Sequence, residues 1–387
     1  MNENPLVSVI VLNYNAGELL LNCIESIKKS AYKNLEIIVV DNISTDKSQK
    51  ICKEKYPDIK LIQNDENFGY CEGNNIGIRE AEGDYIIILN PDTIVESNWI
   101  GELISAYSKF GEGLYQPKIL SLDKTEILQS TGNMLHIFGF GFAKDKGKND
   151  NLVETDIEKI GYASGTCLFT SKEVLDKIGL LDSFLFLYHD DLDLGWRAAQ
   201  MGIGSFYVPN SIIYHAESYA LKWSAKKFYW LERNRKYCLL THYSKKTYAK
   251  ILPSLLVVDF FVWFFYLSKG FVGSKIKADL DILRNKKSIE KKYQELESKK
   301  ILTPEQKRRI DLFIKKLNLI EYAGKEEKFI SLRKEFLDLT NSLSPRHKAT
   351  IRGVIKKNIK KLVRRIVVKT EILEMKITLA LIKSLLS

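Results

Sequence analysis

Short apolar runs alternate with segments of helical periodicity over residues 7–89. The apolar runs are rich in β-branched residues and nearly continuous, as in strands that are buried on both faces of a sheet. They cover Val7–Leu12, Leu35–Val40, Ile59–Ile62 and Tyr85–Leu89. Between them, apolar residues recur at helical spacing over 19–27. Residues 44–55 can also form a helix, and 71–81 is a further helical stretch that Gly83 ends. This order of strand and helix predicts right-handed crossovers and an α/β domain with a mostly parallel sheet.

Polar residues directly follow each of these predicted strands. They are Asn13 and Asn15, Asp41 and Asn42, Asn64–Asn67, and Asn90 with Asp92. One Asn or Asp in such a place is usually a turn residue or a helix cap. Four clusters at the carboxyl edge of one sheet instead favour a shared polar ligand, because open α/β sheets bind their ligands at that edge.

Asp92 follows the most hydrophobic of the strands, and Pro91 discourages the strand from continuing. A carboxylate presented there suits a hard divalent cation that also holds phosphate oxygens, although it could instead cap a helix that begins near Ser97. Further on, a strand over 203–208 is followed by an apolar run that ends at His215. A lone His is more often structural, but a neutral imidazole close to Asp92 would be a second metal ligand.

The densest acidic cluster contains Asp190, Asp191 and Asp193 within four residues. Mutual repulsion raises the pKa of at least one of these carboxyls, which suits a general base. The alternative is an acidic first turn that the helix dipole stabilises. Both interpretations hold if Asp193 pairs with Arg197 one turn later while Asp191 faces the cleft.

Small residues mark two places where the backbone can approach another group closely. Gly161–Phe169 is typical of a strand that follows a turn of small residues, which would admit a substrate, and a helix over 171–178 comes next. Gly69, Gly73 and Gly77 recur every four residues, which is a weak phosphate-binding pattern and otherwise indicates close helix packing. The sequence has no G-x-x-x-x-G-K-[ST] and no G-x-G-x-x-G after its first strand, so a P-loop or a dinucleotide fold is not indicated.

Charge divides the 387 residues into two unlike parts. The net charge is +11, yet residues 246–387 contain 33 Lys and Arg against 15 Asp and Glu, a net of +18, which leaves −7 for residues 1–245. The chain is therefore an acidic domain joined to a basic tail, and the total charge alone does not indicate a nucleic-acid-binding protein. Five scattered cysteines without a C-x-x-C pair predict small buried thiols, and the absence of a basic stretch before Val7 predicts a cytosolic start.

The basic tail contains two segments of a membrane-binding type. Residues 251–268 are intensely apolar and aromatic, with Asp259 as their one charge. That length is at the lower limit for crossing a bilayer, so we predict a helix on or dipping into the membrane, with a helix docked on the domain and a true span as alternatives. Residues 344–387 predict a basic amphipathic helix on anionic lipid, and a nucleic-acid helix is the competing interpretation.

These divisions predict four regions along the chain. They are an α/β domain over 1–245, an apolar aromatic helix over 246–275, charged helices over 276–343 and a basic amphipathic helix over 344–387. The charged helices could support oligomerisation.

The order and spacing of the motifs in residues 6–245 resemble the family 2 glycosyltransferases of the GT-A fold, of the rhamnosyltransferase-like kind. The resemblance is carried by Val7–Asn15, by Val39–Asp46 (VVDN-x-S-x-D), by Asn67–Gly77, by Leu89–Thr93 in the place of D-x-D, by Asp190–Leu194 with Arg197 in the place of E-D-x-D-L and Arg, by Tyr214–His215, and by the aromatic R-N segment Phe228–Arg235. Two positions depart from the family pattern. Asn90 replaces the first acid of D-x-D, which lowers the expected metal affinity, and Asp190 replaces a Glu.

The resemblance implies a role for each motif. The donor, a dTDP- or UDP-sugar, would be bound by Asn13, Asn15, Asp41, Asn67, Gly69, Asn75 and Asp92. Mg²⁺ or Mn²⁺ would be held by Asp92 and His215, and a saccharide or lipid-linked acceptor would lie against Gly165, Thr166 and Asp190. Asp191 would be the base that takes the acceptor proton in a direct displacement with inversion.

We therefore predict a metal-assisted inverting glycosyltransferase of surface polysaccharide biosynthesis, peripheral on the cytoplasmic face of the membrane, with rhamnose as the leading donor sugar and no nucleic-acid partner. A nucleotidyltransferase of similar fold is one rival, but it would need Lys or Arg near residues 13–18, where there is none. A non-enzymatic, membrane-tethered module that only binds a nucleotide sugar is the other, and it predicts that Asp191→Asn has no biological effect.

Overall fold

The structure, a computed structural model, describes residues 4–153, 156–216 and 224–299. The chain up to Glu290 forms one compact unit, except for Gln200–Gly202. Those three residues and Lys291–Lys299 belong to a second unit. The predicted boundary at residue 245 therefore separates regions of different composition that share one compact unit. Most of 276–343 and all of 344–387 lie outside the described residues.

Twelve strands and ten helices are found in the described part of the chain, together with a short 3-10 helix at Asp150–Leu152. The strands are β1 Val7–Asn13, β2 Leu35–Asp41, β3 Lys60–Gln63, β4 Tyr85–Leu89, β5 Thr93–Val95, β6 Gly113–Ser121, β7 Leu128–Ser130, β8 Asn133–Leu135, β9 Gly141–Ala143, β10 Glu158–Ile160, β11 Cys167–Ser171 and β12 Gly204–His215. The helices are α1 Glu18–Lys28, α2 Ser48–Lys55, α3 Gly69–Arg79, α4 Trp99–Phe110, α5 Lys172–Ile178, α6 Asp190–Gln200, α7 Ala225–His242, α8 Lys245–Ser268, α9 Val272–Arg284 and α10 Lys286–Lys299.

The main sheet runs in the order β10-β12-β6-β11-β4-β1-β2-β3, with β5 added to β12 and β7 to β6. Strand β1 pairs in parallel with both β2 and β4, and β2 pairs in parallel with β3. Strand β11 is antiparallel and lies between β4 and β6, so the sheet as a whole is mixed. The part formed by β1–β4 is parallel, as the sequence predicts. The carboxyl ends of β1, β2 and β4 consequently share one edge.

Two predicted elements differ from the observed ones. The helix predicted over 44–55 begins only at Ser48, because the Asp46 carboxylate accepts hydrogen bonds from the backbone N–H of Ser48 (3.0 Å) and of Gly17 (2.8 Å) and holds the preceding residues as a loop. The two runs predicted over 203–208 and 212–215 are one long strand, β12, whose register against β6 shifts between Val208 and Ile212.

The core lies on both faces of β1 and β4, against α1, α3 and α4. Close packing explains two of the regularly spaced glycines in α3. A Cβ on Gly73 would lie 2.5 Å from Leu12 Cδ1, and one on Gly77 would lie 2.6 Å from Ile10 Cγ2. All five cysteines are buried and unpaired, which confirms the prediction of small buried thiols.

Helices α7, α8 and α9 pack together beside the sheet. A buried charge network joins them: Arg235 on α7 pairs with Glu232 (2.8 Å) and with Asp259 on α8 (2.6 Å), while Lys275 on α9 pairs with Glu232 (3.0 Å). Because removing one member would leave another charge buried and unpaired, this network fixes the position of α8 on α7.

Candidate active site

A cleft of about 460 Å³ opens at the carboxyl edge of β1 and β4. The predicted site residues that line it are Asn67, Gly69, Asp92, Gly165, Thr166, Asp190, Asp191 and His215. They come from five separate stretches of the chain, and the sheet order alone brings them together. Their common position in the cleft allows the role predicted for each residue to be considered together with its neighbours.

Four predicted donor-binding residues do not line this cleft. The buried Asn13 amide donates to the Asp41 carboxylate (2.8 Å) and to Ser48 Oγ (2.9 Å), and so joins the ends of β1 and β2. Asn15 accepts a hydrogen bond from Thr45 N (2.7 Å). Asn75 exchanges two hydrogen bonds with the backbone of Leu181. These side chains therefore hold the loops that shape the cleft, and Asn42, which follows β2, lines the cleft in place of Asp41.

Asp92 and His215 lie next to each other in the cleft. His215 Nε2 lies 3.3 Å from Asp92 Oδ2, and Asp92 Oδ1 is buried without a hydrogen-bond partner. The Gln129 amide donates to the His215 backbone carbonyl (2.7 Å), so Gln129 Oε1, 2.7 Å from His215 Nδ1, must accept the proton of that nitrogen. In its neutral form this imidazole would therefore carry its proton on Nδ1 and turn the lone pair of Nε2 toward the carboxylate. An unpartnered carboxylate oxygen beside this lone pair fits a divalent cation.

Gln129 is a residue that the sequence gives no reason to select, and its two hydrogen bonds orient His215, a predicted metal ligand. We expect Gln129→Ala to weaken Mn²⁺ binding about ten-fold, at the lower end of the effect of removing a partner that orients a ligand. Electron paramagnetic resonance of free Mn²⁺ during a titration measures this directly. The exposed Gln63→Ala is the matched control, and equal Mn²⁺ affinity of the two variants would contradict the role of Gln129.

Asp190 and Asp191 begin α6 and line the same cleft. Asp191 Oδ2 accepts a hydrogen bond from Gly165 N (3.1 Å), which fixes the carboxylate against the small-residue turn. Burial raises the pKa of Asp191, and the N–H groups of Gly165 and Leu192 oppose that rise. Burial and the nearby charge of Asp191 raise the pKa of Asp190 well above its usual range. The two carboxyls therefore titrate as a coupled pair, and the hydrogen bond from Gly165 N favours the ionised form of Asp191.

The third carboxylate of the cluster has a structural role. Asp193 is fully buried and pairs with Arg197 (2.9 Å) and with His242 on α7 (2.7 Å), and the Trp196 ring stacks on His242 at 4.5 Å. The predicted Asp193–Arg197 pair is thereby confirmed. Cys238 lies close enough to complete a possible metal triad with Asp193 and His242. Since Arg197 already neutralises Asp193, we assign the group to fixing α6 on α7.

The loop before α6 is strained and held from α7. Phe186, Tyr188 and His189 all have positive φ, between 62° and 68°. The Asn234 amide nitrogen lies 2.8–2.9 Å from the carbonyl oxygens of Leu185, Leu187 and Tyr188. The aromatic R-N segment recognised in the sequence therefore clamps the cleft wall, because an amide can satisfy carbonyls that a strained loop leaves unpaired.

Two lysines missed by the sequence reasoning also reach the cleft. Lys226 and Lys227, in the first turn of α7, line it, and the Lys227 ammonium lies 5.7 Å from the centre of the Tyr188 ring. They supply the positive charge that residues 13–18 lack. A helical position more than two hundred residues away in the chain gives no local signal of this contact.

Comparison with known proteins adds a family and two relatives. Residues 8–179 match the profile described as glycosyl transferase family 2. The low-salt glycan biosynthesis hexosyltransferase Agl10 of Haloferax volcanii is 29% identical over 215 residues, which cover 53% of this chain and 66% of that protein. The N-acetylglucosaminyl-diphospho-decaprenol L-rhamnosyltransferase of Mycobacterium tuberculosis is 24% identical over 238 residues, 56% of this chain and 77% of that protein.

Other relatives match over shorter stretches, and one solved structure is similar in fold. Glycosyltransferase GlyG of Streptococcus pneumoniae is 40% identical over 103 residues, so this chain spans 34% of its length. The structure of GalNAc-T7 with UDP, GalNAc and Mn²⁺ superposes with a TM-score of 0.52 at 19% identity, over 62% of this chain and 48% of that one. The predicted GT-A fold is confirmed by this likeness and by the mixed, mostly parallel sheet.

Proposed function

The N-terminal domain of this chain belongs to glycosyl transferase family 2, and from that premise we propose that the protein transfers a sugar from a nucleotide diphosphate to an acceptor hydroxyl with inversion. One observation supports the proposal most strongly. One oxygen of the buried Asp92 carboxylate has no hydrogen-bond partner and His215 Nε2 lies beside the other, while the Asp191 carboxyl, whose pKa burial raises, lines the same cleft. A direct displacement needs one group that holds the leaving diphosphate and a separate base for the acceptor hydroxyl.

In this proposal Asp92 and His215 hold Mg²⁺ or Mn²⁺, which when bound neutralises the charge that develops on the departing diphosphate. Lys226 and Lys227 add positive charge on the same cleft. Asp191 accepts the acceptor proton while the hydroxyl oxygen bonds to the anomeric carbon and the bond to the diphosphate oxygen breaks. The Gly165 N–H keeps the carboxylate directed at the acceptor, and no protein nucleophile is needed.

The proposed substrates rest on relatives. The mycobacterial relative is named for transferring L-rhamnose to a diphospho-decaprenol-linked sugar, and the archaeal one for glycan biosynthesis. We propose a dTDP- or UDP-sugar as donor, with rhamnose as the first sugar to test, and a lipid-linked saccharide as acceptor. Such an acceptor places the enzyme peripherally at the cytoplasmic face of the cell membrane.

A donor screen tests the proposed function. The full chain is incubated with a panel of UDP-, dTDP- and GDP-sugars and Mn²⁺, and release of nucleoside diphosphate is measured with and without a lipid-linked acceptor analogue. We expect at least one donor to release its diphosphate faster with acceptor present. In a parallel reaction with a nucleoside triphosphate and a sugar 1-phosphate, release of pyrophosphate would instead indicate nucleotidyl transfer. Binding of the nucleotide sugars without any turnover would indicate a module that only binds them.

The carboxyl pair makes a prediction about pH. Asp191 acts in its unprotonated form, and burial raises its pKa. We therefore expect kcat/KM to rise with pH, with the midpoint of this rising limb above the usual pKa range of an Asp side chain. Asp190→Asn is expected to leave the position of this limb unchanged, because the amide imitates a carboxyl that is already protonated. If Asp190 were ionised while Asp191 titrates, the variant would move the limb to lower pH. The pH profile of kcat/KM for both proteins decides between these results.

A further inference from the structure

We propose that α8 lies in the plane of an anionic membrane, inserted by one exposed aromatic face, and does not cross the bilayer. We call this face the α8 aromatic face, and it consists of Leu256, Val257, Phe260, Phe261, Phe264 and Leu267. The proposal depends on the proposed function only in that a lipid-linked acceptor requires contact with a membrane.

The α8 aromatic face is unusually exposed for its composition. Phe260, Phe261 and Phe264 are 67%, 63% and 64% exposed. Within the described chain, α8 is also the one helix long and apolar enough to cross a membrane. Large contiguous apolar patches are uncommon on the surface of monomeric soluble domains and mark sites of association.

The one acidic residue of α8 faces away from this surface. Asp259 pairs with Arg235 (2.6 Å) and with Lys236 (3.3 Å) on α7, and its side chain is 24% exposed. From the sequence alone, the negative charge of Asp259 makes the segment costly to insert into a membrane. In the structure this charge is neutralised by the two cations of α7. The α8 aromatic face itself can enter the acyl boundary without burying a carboxylate.

The opposite side of α8 is fixed along its length, which argues against a crossing helix. Leu255 is buried, and the buried Tyr266 hydroxyl donates to the Phe228 carbonyl of α7 at 2.7 Å. Crossing the bilayer would pull Asp259 from Arg235, a side chain that is almost wholly buried in the compact unit. Asp259 would then be a carboxylate without its cationic partners in the bilayer, which is strongly unfavourable, so the helix stays on the domain.

The charge around the α8 aromatic face selects lipid over a second copy of the chain. Lys246 and Lys250 are exposed and share its side of the helix, about three to five turns before the phenylalanines, and Lys269 follows the helix end. Lysines beside exposed aromatic residues are the pattern of helices at anionic interfaces. A symmetric contact between two copies would bring these like charges together, whereas phosphatidylglycerol headgroups neutralise them.

Site-selective labelling can test this orientation. Since the described chain's five thiols are all buried, a cysteine introduced on the surface is the preferred site for an environment-sensitive NBD probe. The probe is placed in turn at Leu256→Cys and Leu267→Cys, which share the exposed face and lie about 16 Å apart along the helix axis. Ile51→Cys on α2, which is 47% exposed, is the control position. The full chain is mixed with vesicles of phosphatidylcholine containing about one third phosphatidylglycerol.

We expect both α8 probes to brighten and shift to the blue, with equal depths by doxyl-lipid quenching, while the Ile51→Cys probe does not change. Depths that differ by most of the 16 Å separation would mean that the helix crosses the bilayer and would overturn the proposal. Unchanged α8 probes would mean that another occupant covers the face, with the same consequence.

A second pair of variants separates this surface from the rest of the chain. Phe260→Ser/Phe264→Ser should reduce recovery with floated anionic vesicles several-fold relative to Ile51→Ser/Leu152→Ser, which removes two exposed apolar side chains elsewhere. Equal recovery of the two double variants would contradict the proposal. Turnover of a soluble nucleotide sugar without vesicles is measured in parallel, so a failure of the membrane surface is distinguishable from a failure of the glycosyltransferase function.

Discussion

Replacing Asp191 by Asn is expected to lower kcat by about 10²–10⁴-fold, the range that a positioned general base supplies. The asparagine side chain keeps the shape of the carboxylate but cannot take up the acceptor proton. In the proposed mechanism Asp191 contacts the acceptor and Asp92 holds the cation of the donor, so the donor should bind with an unchanged Kd. Single-turnover kinetics and calorimetric titration with the nucleotide sugar measure the two quantities separately.

The control for this variant is Asp123→Asn, which makes the same substitution at an exposed position. It should behave as the unchanged protein does. If Asp191→Asn retained full turnover, Asp191 would not be the base. If it lost donor binding as well, the Asp191 carboxylate would be part of the donor site, and its assignment to the acceptor would be wrong.

Asp92→Asn is the second large effect, and it should remove metal binding and turnover together. The change removes the negative charge of a buried carboxylate, one of whose oxygens has no protein partner. We expect Mn²⁺ affinity to fall beyond the loss caused by Gln129→Ala, and turnover to fall about 10²–10³-fold, as for loss of one group that stabilises developing charge. Asp65→Asn, at an exposed position, is the control. Unaltered Mn²⁺ binding by Asp92→Asn would place the cation elsewhere in the protein.

Local patterns in the sequence were sufficient to predict the parallel strands of the first half of the sheet. They also identified Asp92 and Asp191, which both line the cleft. Strands β1, β2 and β4 are short β-branched runs whose burial follows from composition, and Asp92 lies where such a strand must stop. The Asp193–Arg197 pair was predictable because helix geometry alone brings residues four apart together. The separation of Asp193 from Asp191, which lies two residues before it, follows from the same geometry.

Interactions over long sequence distances were not predictable. Gln129 reaches His215 from 86 residues away, and Asn234 reaches Tyr188 from 46 residues away. Neither residue type carries a local signal for these partners. For the same reason Asn13 and Asn75 were assigned to the ligand, since an amide at a strand end or on a helix can bond a substrate or a neighbouring loop equally well.

Asp259 shows how packing can change the meaning of a single charge. In the sequence it is a cost against membrane insertion, whereas in the structure it is the residue that attaches α8 to Arg235 and leaves an uncharged aromatic face outward. The partner's position depends on how α7 packs on α8, which periodicity does not specify.

The anomeric configuration of the product tests the central claim most directly. The full chain, Mn²⁺, the donor identified in the screen and a soluble acceptor analogue are followed by proton NMR through the first turnovers. A single displacement with Asp191 as base predicts a glycoside of configuration opposite to the donor's, with one nucleoside diphosphate released for each bond formed. A product that retains the donor's configuration would contradict the mechanism derived from this cleft.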